Sequence, residues 1–121
     1  MSDSEKRSLF IGRFQPFHAG HKALIDSVLA EGKKVLIAIR ETPISDSDPY
    51  SVGERYAMIR AVYPLDLDQV RIISIPDIAE VCYGRQVGYL IREIRLAPEV
   101  EAISGTQIRA EGGRKDDHAE E

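Results

Sequence analysis

Cysteine is almost absent from this chain, with Cys82 standing alone. A lone thiol excludes an intrachain disulfide, and the lack of any Cys/His cluster at metal-ligand spacing speaks against a structural zinc site. Cys82 has no recognisable nucleophile setting and reads as a buried or bystander thiol. Long apolar runs are missing too. Met1 to Arg7 is polar and only a short apolar stretch follows, which does not make a secretory leader. No run approaches the ~20 residues needed to span a bilayer. The expectation is a protein without a membrane partner, in a reducing cytoplasm. Positive charge is not in excess: 16 Lys and Arg against 20 Asp and Glu leave a formal charge of −4. That argues against nucleic acid as a partner, while a small basic pocket stays open. The Gly-x-x-x-x-Gly-Lys-[Ser/Thr] phosphate loop is absent, and no Ser-His-Asp set or persuasive carboxylate pair is present. Asp46 and Asp48 lie in a polar loop and read as solvated.

What remains is an ordinary globular composition, 43% hydrophobic and 30% charged over 121 residues. One domain with its own core fits that length. Ser8 to Ile11 reads as a short buried strand. From Gly20 to about Ala30, Leu24, Ile25, Val28 and Leu29 recur at helical spacing, and Gly32 is a stop signal. Val35 to Ile39 is a continuous apolar run, the mark of a strand in a parallel sheet. Strand, helix and strand over some 30 residues make a βαβ unit. Ser51 and Glu54 have capping-box spacing, which predicts a helix from about Val52 to Val62, ended by Pro64. Val70 to Ile75 is a third strand. Tyr89 to Leu96 is compatible with strand or helix, its imperfect alternation favouring strand. Val100 to Ile103 reads as a last short strand, with Ser104 starting a short helix.

Three constellations carry chemistry. The first is Gly12-Arg13-Phe14-Gln15-Pro16-Phe17-His18-Ala19-Gly20-His21, between the first strand and the first helix. A helix N-terminus offers free N–H groups and a favourable dipole to an anion. His18 and His21, three apart, point from one face, and Gly20 keeps the backbone low beside them. Their protonation stays open, since phosphate favours imidazolium and the helix N-terminus opposes it. The second is Ile103-Ser104-Gly105-Thr106-Gln107-Ile108-Arg109, where hydroxyls and N–H groups at a helix start form another anion cradle beside the permanent charge of Arg109. The third is Tyr83-Gly84-Arg85-Gln86-Val87-Gly88-Tyr89, either a tight turn beside a flat ligand or a turn with packed tyrosines. Arg40 and Arg55 are weaker substrate-binding candidates; a helix-face arginine such as Arg55 is usually solvated or ion-paired.

The first stretch resembles the His-x-Gly-His signature of the nucleotidyltransferase superfamily, and Ile103 to Arg109 resembles its second signature, Ile-Ser-[Ser/Gly]-Thr-x-Ile-Arg. Pro49-Tyr50-Ser51-Val52-Gly53-Glu54-Arg55 and the wording Gly-Arg-Phe-Gln-Pro-Phe-His are similar to the archaeal-type nicotinamide-mononucleotide adenylyltransferases. The resemblance runs from about Leu9 to Arg109. It implies an α/β fold, a single doubly wound Rossmann-like parallel sheet with helices on both faces, and a site at the carboxyl ends of the strands. The nucleotidyltransferase domain would span residues 8–111, with flexible tails at 1–7 and 112–121.

By the same resemblance, His18 and His21 are the catalytic pair. Gly12, Arg13, Phe14, Lys22, Gly84, Arg85, Ser104, Thr106 and Arg109 bind the nucleotide. The implied reaction moves a nucleoside monophosphate, AMP from ATP by preference, onto a small phosphorylated acceptor such as nicotinamide mononucleotide, with release of pyrophosphate. Mg²⁺ is the expected cofactor, carried by the triphosphate and water rather than by protein ligands. Only 12 residues follow Arg109, whereas larger relatives have C-terminal helices that complete their sites. Residues Tyr83 to Tyr89 resemble small adenylyl/cytidylyl-transferase-like proteins instead of a nicotinamide-mononucleotide pocket. The alternatives are a cytidylyltransferase using CTP and a phosphorylated alcohol or sugar, and a nucleotide-binding regulator without turnover. A fragment of a class I aminoacyl-tRNA synthetase is remote, because no Lys-Met-Ser-Lys-Ser-like loop is present. A homo-oligomer whose neighbour completes an open site is compatible with the sequence but not demanded by it.

Overall fold

The computed structural model describes residues 6–85 and 88–103. Three parallel strands, β1 (Arg7–Gly12), β2 (Lys34–Glu41) and β3 (Val70–Pro76), pair in the order β1-β2-β3. Helix α1 (Ala19–Leu29) connects the first two and α2 (Val52–Val62) the second two; a short α3 (Pro98–Glu101) follows. The register sets Phe10 beside Ile37 and Ile37 beside Ile72, so alternate residues of all three strands share one face. Val35, Ile37, Ile39 and Val70 from that face meet Ile25 and Val28 of α1 and Ile59 of α2 in one buried cluster with Phe14 and Tyr63. Both helices therefore cover the same face, and the Tyr63 hydroxyl donates to Asp26 across them at 2.7 Å. Two crossovers of one hand, stepping in one direction across the sheet, produce this arrangement.

The result is Rossmann-like, seen as one wing. On the opposite face Leu9 is 54% exposed and Ile73 44%, and the expected second layer of helices is not found there among the described residues. The helix ends follow local chemistry. Ser51 Oγ accepts from the Glu54 N–H and Glu54 Oε1 accepts from the Ser51 N–H, the capping box foreseen at α2. After α1 the chain turns at Gly32, whose φ of +81° suits only glycine without strain.

Three sequence expectations are corrected. Tyr89 to Leu96 is not a strand: Leu90 is 88% exposed, Arg92 is engaged by Glu31, and only Ile94 of its apolar residues packs on the core. Its alternation has no neighbouring strand to pair with among the described residues. Val100 belongs to α3 rather than to a strand. Pro98 starts that helix, and Glu101 turns back to accept from the Leu96 N–H and from Arg95. Arg7, expected in a tail, opens β1 and donates to the carbonyls of Val35, Asp68 and Gln69, stapling the amino ends of β2 and β3. The second signature, with Ser104, Thr106 and Arg109, and the 112–121 tail lie outside the described residues.

A sheet covered on one face makes a contrast testable. Ile37→Ala should cost about 2–5 kcal/mol in stability and Leu9→Ala less than about 1 kcal/mol, read by urea unfolding. Equal losses at both positions would contradict the one-sided core.

Candidate functional site

The head of α1 is built from the two histidines themselves. His18 is the N-cap, and its Nδ1 accepts from the Gly20 N–H at 3.0 Å. His21 Nδ1 in turn accepts from the His18 N–H at 3.1 Å. This is a capping box with imidazoles in both positions. A neutral imidazole whose Nδ1 accepts carries its proton on Nε2, so each ring is a donor through Nε2–H. The rings stack with centroids 3.7 Å apart and planes 22° from parallel. Phe17 stacks on the other side of His21 at 5.5 Å, and Phe14 meets it edge-on at 4.8 Å.

This packing settles the charge left open by sequence. Burial, and then the neighbouring His18, lower the His21 pKa from 6.5 to about 3; burial also lowers that of His18. Two imidazolium rings in van der Waals contact at a positive helix end would repel each other and the dipole. Both shifts favour the neutral ring, a donor through Nε2–H.

Glycines set the geometry. A Cβ on Gly20 would lie 2.9 Å from His18 Cε1, so only glycine leaves the ring its place. A Cβ on Gly12 would lie 3.0 Å from Phe14 Cζ. Phe14 itself has φ +54°, a strained value for a bulky residue, which the surrounding burial enforces.

The remaining candidates fall into different places. Arg13 leaves the carboxyl end of β1 and pairs with Asp48 at 3.0 Å, its side chain half exposed. Asp48 is thus not the solvated residue expected. Lys22 pairs with Asp26 one turn along α1, at 2.6 Å. Arg40 donates from Nε to Asp77 at 2.9 Å and from Nη2 to the Ile78 carbonyl, tying β2 to the segment after β3. Arg55 is a correction in kind. It is fully buried, and its Nη1 donates to the carbonyls of Arg13 at 2.7 Å and Arg40 at 2.8 Å, its Nε to that of Ser51. It is a structural anchor rather than a substrate contact. Gly84 and Arg85 line an open hollow of about 640 Å³ with Tyr83, Tyr89 and Leu90, to which no residue of the histidine pair contributes. Both tyrosines are exposed, so the packed-tyrosine alternative is not met.

Sequence reasoning missed Gln15. Its buried amide donates to the Tyr50 carbonyl at 2.9 Å and accepts from the Tyr50 N–H at 3.0 Å, so the β1–α1 loop is zipped to the β2–α2 loop. A polar residue between Phe14 and Pro16 was the available signal; its partner 35 residues away was not visible. Phe17 was quoted within the motif, but nothing local showed that it stacks on His21.

Comparison with known proteins locates this strand, loop and helix in a family. Residues 9–80, more than half of the chain, match the family model described as cytidylyltransferase-like. The chain belongs to that family. A nicotinamide-nucleotide adenylyltransferase of Methanocorpusculum labreanum is 46% identical over 56 residues, 45% of this chain and 33% of that protein. One of the same name from Pyrobaculum aerophilum is 37% identical over 103 residues, 81% of this chain and 55% of that protein. A crystal structure of a bifunctional NMN adenylyltransferase/ADP ribose pyrophosphatase from Francisella tularensis, complexed with AMP and an Mn ion, is similar with a TM-score of 0.50 at 40% identity. That match covers 57% of this chain and 22% of the other. The chain spans between a third and about half the length of the curated relatives it matches.

Two measurements check the geometry. By NMR titration His21 should stay neutral down to about pH 3. The unfolded chain binds that proton near pH 6.5, so the His21 contribution to stability is complete above pH 6.5 and is lost as pH falls towards 3. A His21 titration midpoint near 6.5 would contradict the stacked neutral pair. Gly20→Ala should keep the fold, because alanine favours helix. By displacing the His18 ring it should open the ring stack and raise the His21 pKa from about 3 towards 6.5, read by the same titration beside thermal unfolding.

Proposed function

We propose that this chain handles the nucleotide in an adenylyl transfer. An oxygen of a phosphorylated acceptor attacks the α-phosphorus of ATP. The bond from that phosphorus to the oxygen bridging to the β-phosphate breaks, and pyrophosphate leaves. The observation that carries the reading is the pair of Nε2–H donors held at the head of α1 by backbone hydrogen bonds. Such a transfer needs positioning and charge stabilisation more than covalent chemistry from the protein. Neutral imidazoles with fixed tautomers donate to the crowded phosphoryl oxygens and require no reorientation as charge builds there. Arg13 supplies a permanent charge in the same loop. Ser104, Thr106 and Arg109 take the β- and γ-phosphates by the wording of the second signature.

The names of the relatives support ATP as donor and make nicotinamide mononucleotide the first acceptor to test. Both histidine Nδ1 atoms are occupied by backbone donors, and no group of three candidate metal ligands stands together among the described residues. These residues do not form a protein cage for a divalent ion. In this reading Mg²⁺ comes on the triphosphate oxygens, where it neutralises charge, and no step above is routed through it.

The deciding assay incubates the protein with Mg²⁺ and either ATP or CTP over a panel of phosphorylated acceptors, nicotinamide mononucleotide included, and reads pyrophosphate. Release with ATP is expected. Release with CTP alone would establish the cytidylyl alternative, and ATP binding without release on any acceptor would favour a regulator. His21→Ala should lower turnover by ~10²–10³-fold, the loss of one preorganised donor. A drop of tenfold or less in a folded variant would remove that role.

A further inference from the structure

The polar loop between β2 and α2 does more than connect them. Its centre is a closed turn, in which the Ser45 N–H donates to the Asp48 carbonyl at 3.0 Å and the Asp48 N–H returns to the Ser45 carbonyl and Oγ. Two residues on, Tyr50 is gripped on both its N–H and its C=O by the buried Gln15 amide. Asp48 is therefore fixed between two pinned points, and its side chain is only 14% exposed. The side chain it meets is the opposite in character: Arg13 is 51% exposed, long, and otherwise free to sample rotamers.

The contact is one-armed. Arg13 reaches Asp48 through Nη1 alone, at 3.0 Å to Oδ1. A guanidinium has five N–H donors, and an Nη1 contact leaves the others available for phosphate oxygens. Beneath it, Arg55 holds the Arg13 carbonyl. The backbone of Arg13 is thus held by the buried Arg55 and its side chain by the partly buried Asp48.

We propose that Asp48 is a positioning residue for the triphosphate, presetting the Arg13 guanidinium so that its remaining donors meet phosphate without first being ordered. This rests on the reading of Arg13 as a phosphate contact. A rigid carboxylate that orders a flexible cation removes an entropy cost from binding, which is preorganisation. The same carboxylate is matched by Arg13 and also faces the charge of the buried Arg55, so it does not confront the triphosphate as a bare like charge.

The test is a double-mutant cycle on Mg·ATP affinity, measured by calorimetry at one ionic strength on the full chain. Thermal unfolding is followed on each variant. Asp48→Asn keeps the turn and removes the charge; it should weaken ATP binding about tenfold. Arg13→Ala should weaken it by at least as much, and the double variant should bind no worse than Arg13→Ala alone. Such coupling in affinity, at unchanged melting temperature, is not what a merely structural aspartate gives. Asp48→Glu, with the charge restored on a longer arm, should recover part of the affinity, and it carries the test if Asp48→Asn fails to fold. Unchanged or tighter ATP binding by Asp48→Asn, with Arg13→Ala weakened, overturns the role of Asp48 alone. Unchanged binding by Arg13→Ala removes Arg13 from the site and overturns the reading beneath.

Discussion

The buried guanidinium of Arg55 is the interaction on which the carboxyl edge of the sheet depends. From the second turn of α2 it reaches three carbonyls: that of Arg13 after β1, that of Arg40 in β2 and that of Ser51 at its own helix start. Two of those carbonyls also accept a backbone N–H, Arg40 from Thr42 and Ser51 from Arg55 itself, so the guanidinium adds a second donor there, while at Arg13 it meets a carbonyl just past the end of β1. Arginine suits the place because its planar donors diverge and its charge persists under desolvation. Substituting an apolar residue would remove three hydrogen bonds and leave the Arg13 carbonyl without its guanidinium donor, which costs more than one lost contact. Two loops that would otherwise move independently become one surface.

That surface lies at the carboxyl edge of the parallel sheet. Strands β1 and β2 point the same way, so the loops that follow them emerge side by side. In open α/β sheets ligands bind at this edge. Gln15 with Tyr50 and Arg13 with Asp48 bridge the same pair of loops from the inside and the outside. The histidines stand on the helix entered from the first of them. Rigidity here therefore comes from connections between loops more than from either loop's own sequence.

Much of this was legible locally. The αβ order, the bounds of α2, its capping box and the helix entered at the histidines each follow from residues within a few positions of one another. The need for glycine at position 20 was legible but its reason was not: the space beside its backbone is taken by the His18 ring. What the sequence hid was long-range pairing. Nothing near Arg55 distinguishes a buried anchor from a solvated helix-face residue, because its partners are backbone atoms 15 and 42 positions away. Asp48 looked solvated for the same reason. Tyr89 to Leu96 failed in the other direction: alternation is a property of strands only when a neighbouring strand supplies hydrogen bonds and a covered face.

The neutral histidine pair carries a further consequence for how charge is divided at the site. An imidazolium pair would attract triphosphate strongly in the ground state and lose the advantage of responding to the transition state. In the proposed adenylyl transfer, neutral Nε2–H donors would bind the ground state weakly and gain most when negative charge grows on the phosphoryl oxygens. The overall charge of −4 repels a polyphosphate at long range, and in that reading Arg13, matched by Asp48, acts at contact rather than from a distance. The cost of keeping the pair uncharged is met by structure already present for other reasons: burial against Phe14 and Phe17, the helix end, and backbone donors that would be unmet without the two Nδ1 acceptors. The same hydrogen bonds that start α1 fix the tautomers, so a change that frays the helix head alters the chemistry before it alters the fold.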